Sequence, residues 1–195
     1  MNKATNGSRK RCNRLTTWLL LLSALGMASV APAADSPSPT PYQAKATCIF
    51  NFAKYMNWPA DTFAASNSPI TIGVSGDARM LDQLKSESAG KLIEGHPIEV
   101  VVADAETNWS RCQIIFVAGS SRRRQTAVLN SVNSKPILTV GENNQFIPRG
   151  GIINVVTKDD KVRFDINADA AHRSGLRISS RIMSLADNIT GDRGK

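Results

Sequence analysis

The chain has 195 residues, with 24 Lys and Arg against 16 Asp and Glu, for a net charge of +8. That length suits one domain with a sizeable core. Residues 1–33 carry five basic and no acidic residues, so the remainder holds 19 basic and 16 acidic residues, a net +3, and nucleic-acid binding loses its main support.

The basic start reads as a secretory leader. Lys3, Arg9, Lys10, Arg11 and Arg14 precede a short apolar run, Leu15 to Leu25, and Ala31-Pro32-Ala33 supplies small residues for cleavage after Ala33. The run is too short to span a bilayer comfortably, although an uncleaved anchor is the alternative. The pattern lacks a lipoprotein cysteine and paired arginines. The expectation is general secretion to a periplasmic location, with 1–33 as signal peptide.

Residues 34–41 include "DSPSPTP", a Pro/Ser-rich tether. A folded domain is expected over 42–190, followed by a tail at 191–195. Tyr42, Ala46, Ile49, Ala53 and Met56 recur at helical spacing, and Pro59 stops that helix. Ile70 to Val74 is a strand. Gly76-Asp77 turns the chain into a helix that Asp77 caps, with Met80, Leu81, Leu84 and Ala89 on its apolar face. Strands are expected at 98–103, 113–118 and 136–140, and "QIIFVA" reads as buried on both faces. A helix capped by Ser120 or Ser121 separates the last two. "GGIINVVTKDDKVRFDIN" reads as a hairpin turning at Lys158-Asp159-Asp160. A closing helix carries the stripe Ile178, Ile182, Leu185 and Ile189, with Asn167 and Asp169 at its start. The fold class is therefore α/β: a three-layer sandwich with a mostly parallel central sheet, plus a C-terminal hairpin and helix.

Catalytic chemistry has little support. His96 and His172 are the only histidines, and no serine sits in a nucleophile elbow. Two histidines and two domain cysteines, all widely spaced, give no metal motif, and no cofactor is expected. "GVSGDA" is a loop-to-helix turn without the spacing of a nucleotide fingerprint. Arg122, Arg123 and Arg124 follow the third strand and oppose the helix dipole, which suits an anionic ligand or acidic partner. A solvated face is the plainer reading. Cys12 lies in the leader. Cys48 and Cys112 leave open one disulfide or two buried thiols, the second being preferred.

Phe50, Phe52, Tyr55 and Trp58 exceed what one helix face buries. Trp58 beside Lys54 suits an interface. Arg173, Arg177 and Arg181 stand at i, i+4 and i+8, one basic stripe on the closing helix for an acidic partner or small anion. The composition and spacing stop there, at a binding or regulatory protein; the alternative function is a periplasmic module for a small anionic ligand.

"YQAKATCIFNFAKYMNWP", then "PITIGVSGD", "CQIIFVAGS", "PILTVGE", "GGIINVVTKDDKVRFDIN" and "INADAAHRSGLRISSRIMSLA" resemble, in that order, the landmarks of the YfiR family from Tyr42 to Ala186. The resemblance implies a periplasmic repressor that catalyses nothing. It would bind the periplasmic sensor domain of an inner-membrane GGDEF diguanylate cyclase and hold down cyclic di-GMP, favouring motility over biofilm. An outer-membrane peptidoglycan-binding lipoprotein would sequester it, and it would form a homodimer. The cysteines depart from the family pattern: the usual partner position of Cys112 is here Gly73, and a second pair near Phe146 to Val156 is absent.

Overall fold

The computed structural model describes residues 38–103, 109–119, 121–159 and 161–191. The expected leader with its cleavage point, half of the tether, Ser120, Asp160 and most of the tail lie outside them. Among the described residues, no helix is long and apolar enough to cross a membrane.

Helix α1 (Pro41–Lys54) starts where Thr40 and Gln43 form a reciprocal capping box and proline occupies the first turn. It is followed by β1 (Met56–Asn57), β2 (Ile70–Ser75) and α2 (Ala78–Ser88), which Asp77 caps as expected. Ala89 ends α2 exposed, and Ser88 takes the buried place instead. Then come β3 (Leu92–Ile93), β4 (His96–Val102), β5 (Ile114–Val117), α3 (Arg122–Ser131), capped by Ser121, and β6 (Leu138–Gly141). β7 (Ile153–Lys158) and β8 (Lys161–Asn167) form the predicted hairpin, with Lys158 opposite Lys161 and Asp159 at φ 50° in the turn.

Eight strands make one sheet in the order β10-β8-β7-β6-β5-β2-β4-β3, where β10 is Asn188–Thr190. The pairs β2–β4, β2–β5, β5–β6 and β6–β7 are parallel; β7–β8 and β3–β4 are antiparallel. The predicted α/β class with a mostly parallel sheet is the observed one. Both faces are covered. Ile114 and Phe116 of β5 join the cluster containing Phe52 of α1 and Leu84 of α2. Ile115 and Val117 join the cluster containing Val128 of α3, Trp109 and Phe146. That is why β5 is apolar throughout.

The closing helix differs from expectation. The chain forms α4 (Ala168–Arg173), β9 (Arg177–Ile178) and α5 (Ser180–Met183) before β10. Gly175, at φ 72°, ends α4. Leu176 N–H donates to Ala171 O and Gly175 N–H to His172 O, both at 2.9 Å, the paired bonds of a glycine-terminated helix. Leu176 is buried and seals the turn. Asn167 does cap α4, through Ala170 N–H at 2.9 Å.

Candidate functional site: a basic patch around Tyr55

α1 stops at Lys54, and Tyr55 leaves helical geometry at φ −110°, ψ 17°. The chain then runs extended towards Pro59, since the residue before a proline avoids helical angles. This short extension is β1, which pairs antiparallel with β9: Met56 with Ile178 and Asn57 with Arg177. Ser179 N–H donates to Tyr55 O at 3.1 Å. The ribbon therefore draws two distant parts of the sequence onto one aromatic ring. Lys54 Nζ lies 5.5 Å from the Tyr55 ring centre, and Arg181 Cζ lies 5.2 Å from it. Each contact is worth about 0.5–1 kcal/mol at an exposed site.

Lys54, Arg177 and Arg181 are exposed and form no ion pair among the described residues. The patch is thus cationic, has an aromatic centre and is not neutralised from within. Such a surface suits an acidic, partly apolar partner. The arginine stripe does not exist as one helix face, because Gly175 breaks the helix between Arg173 and Arg177. Arg181 reaches the Tyr55 ring from α5, while Arg177 stands exposed on β9, opposite Asn57 of β1. Arg173, exposed at the end of α4, borders instead a cleft of about 30 Å³ beside Leu129 and Asn133.

The aromatic surplus is distributed among several sites. Phe52 is buried and meets Phe164 edge to face at 5.0 Å. Phe50 is half-buried under Lys91, whose Nζ is 5.0 Å from the ring centre. Trp58 is half-buried against the core and meets Phe63 edge to face at 6.1 Å. Its Nε1–H is shielded from solvent without an acceptor among the described residues.

Arg122 and Arg123 occupy the first turn of α3, exposed, at the carboxyl end of β5. The strand order reverses there, between β5 and β2, where open α/β sheets place ligands. Arg124 occupies that crevice: its guanidinium lies against Gly76, where any side chain would collide with it, and its Nη1 reaches Ala118 O at 3.5 Å.

The cysteines sit on opposite sides of the sheet. Cys48, on α1, packs against the cluster around Phe52; Cys112 belongs to the cluster around Trp109. Both are free thiols, with the sheet between them. Burial raises both thiols, Cys112 to about 11, with Arg111 lowering it and Glu99 raising it further.

Two features had weak signals in the sequence. Tyr55 was one of four crowded aromatics, and its role as the centre of the patch depends on the ribbon. Lys45 Nζ binds Glu142 Oε2 at 2.6 Å, while Glu142 Oε1 accepts Gly119 N–H at 2.9 Å. These three residues tie α1 to the ends of β5 and β6, from positions 45, 119 and 142.

Among solved structures, the chain is similar to a conserved domain protein from Vibrio cholerae O1 biovar eltor, with TM-score 0.54 at 12% identity, covering 77% of this chain and 60% of that one. It also matches the ABC domain in complex with L-Trp from Streptococcus pneumonia, with TM-score 0.49 at 14% identity, covering 76% of this chain and 60% of that one. The chain thus spans about 60% of the length of each solved chain. At such identities the first likeness concerns the α/β fold alone. The pattern of one family extends over residues 42–187, which takes in every element from α1 to the start of β10, and by that match the chain belongs to the YfiR/HmsC-like family.

Proposed function

We propose that the protein is a periplasmic regulator that binds the periplasmic domain of an inner-membrane GGDEF diguanylate cyclase and represses cyclic di-GMP synthesis. Family membership supports a regulatory rather than a catalytic role, in the periplasm. The observation that carries the binding mode is the unpaired cationic pair on Tyr55, Lys54 and Arg181, with Arg177 exposed on the pairing strand opposite Asn57. In this reading the signal peptide 1–33 delivers the chain, the tether 34–41 precedes the binding domain, and a peptidoglycan-binding outer-membrane lipoprotein and self-association into a dimer regulate its availability. The anionic-ligand reading has less support: Arg122 and Arg123 are exposed on the first turn of α3, and Arg124 is turned towards Gly76 and Ala118 O.

The test is capture in the native host. The protein, tagged and crosslinked in intact cells, should recover a GGDEF-containing membrane protein, and deletion of its gene should raise cyclic di-GMP. Recovery of only itself, with cyclic di-GMP unchanged on deletion, would refute the reading.

A further inference from the structure

A cleft of about 160 Å³ lies between the end of α1, β1 and the β3–β4 hairpin, away from the sheet's carboxyl-end crevice. Its floor is core: Met56, Ile70 and Ile93 are each no more than 9% exposed, so its depth is preformed. Trp58 and Phe63 line it as aromatic walls. Phe63 stacks on the His96 ring, with centres 4.3 Å apart and planes 28° from parallel. His96 Nδ1 is 2.7 Å from Ser68 O, a carbonyl that only accepts. In the neutral imidazole the proton therefore sits on Nδ1, and Nε2 is left as an acceptor.

The polarity of this cleft is opposite to that of the chain. Among the described residues no Lys or Arg lines it, and the one acidic group that does is Glu94. Glu94 and Gly95, at φ 52° and 90°, are the two central residues of the hairpin that pairs Ile93 with His96. A turn with two positive φ values is served best by Asn-Gly or Asp-Gly. A glutamate there costs about 1–2 kcal/mol of backbone energy. Strain of this kind gathers at functional positions. Here it presents an exposed carboxylate, without an ion-pair partner among the described residues, beside an aromatic cleft.

We infer that this cleft binds a small amine with a flat apolar body, the body lying on the apolar floor against the wall that Trp58 and Phe63 form together and the ammonium group at Glu94. The volume is below the ~300 Å³ at which drug-sized pockets begin, so the occupant is fragment-sized. The inference is independent of the repressor reading, since neither Tyr55 nor the arginines take part.

Three probes of similar shape test it on the purified protein by calorimetry and by NMR of the Trp58 indole N–H: phenethylamine, ethylbenzene and phenylacetate. Phenethylamine should bind and shift the Trp58 resonance. Ethylbenzene should bind about tenfold more weakly, phenylacetate should be rejected, and Glu94→Gln should weaken phenethylamine about tenfold while leaving ethylbenzene unchanged. Absence of phenethylamine binding, equal affinity for all three probes, or indifference to Glu94→Gln would each overturn the inference.

Discussion

Glu142 joins three elements with one carboxylate. Its side chain is only 18% exposed, and its two oxygens serve Lys45 of α1 and the N–H of Gly119. Glu142→Ala removes both bonds and leaves a shielded ammonium without its counterion. Bonds to charged groups contribute about 1.5–3 kcal/mol each, partly offset by rehydration, so a loss of about 2 kcal/mol is expected. Urea unfolding measures it, as a lowered midpoint at constant slope. A second prediction concerns Gly73. A Cβ there would stand 2.9 Å from Cys112 Sγ and 2.8 Å from Ala103 Cβ. Gly73→Ala should therefore destabilise the protein. Gly73→Cys converts the sulfur contact into a bond and closes a loop whose entropy is worth up to about 4 kcal/mol, less the strain against Ala103. The oxidised variant should melt above its reduced form. Native Cys112, held as a thiol by its pKa of about 11, should resist alkylation at pH 8 until the protein unfolds. The family resemblance pointed to Gly73 as the vacant partner of Cys112. The distance between them required the β2–β5 register.

At the scale of elements, the strongly patterned parts were legible. β2, α2, β5, α3, β6 and the β7–β8 hairpin are where apolar periodicity and turn residues put them, give or take the end residues. The misreading came after Arg173. Ile178, Ile182, Leu185 and Ile189 keep helical spacing, but Gly175 within "RSGLR" is the stronger signal, because a left-handed residue at that place stops a helix. β1 and β9, with two residues each, have no periodicity to read and exist only through their pairing. Lys54, Arg177 and Arg181 were legible as candidates, but the meeting of Lys54 and Arg181 on the Tyr55 ring depends on this ribbon. Ser179→Pro tests its role. Ser179 already has φ −64°, ψ 147°, which a proline ring accepts, and its hydroxyl has no partner among the described residues. The substitution removes little besides the N–H bond to Tyr55 O. Global stability should fall by no more than about 1 kcal/mol. Capture of the proposed cyclase partner should fall clearly if the ribbon sets the patch geometry; unchanged capture would separate the ribbon from binding.

For the whole molecule, the question is whether a partner senses the patch or only the net charge. Beyond residue 33 the chain carries 19 basic and 16 acidic residues, too small an excess to steer strongly by itself. A local cluster acts differently: it accelerates encounter with an acidic surface, and salt screens it over about 10 Å at 0.1 M. Association with the proposed partner, the periplasmic domain of a diguanylate cyclase, should therefore slow about tenfold from low to high salt, with dissociation much less affected. Two double reversals separate the explanations. Lys54→Glu with Arg181→Glu and Arg122→Glu with Arg123→Glu change the net charge equally, and all four side chains are exposed. The first pair strikes Tyr55; the second strikes the start of α3. Stopped-flow association should show the first variant slow and insensitive to salt, and the second close to the parent. Equal slowing in both would assign the attraction to net charge and remove the patch from the binding mode. Slowing only in the second would move the partner's footprint to the carboxyl end of the sheet.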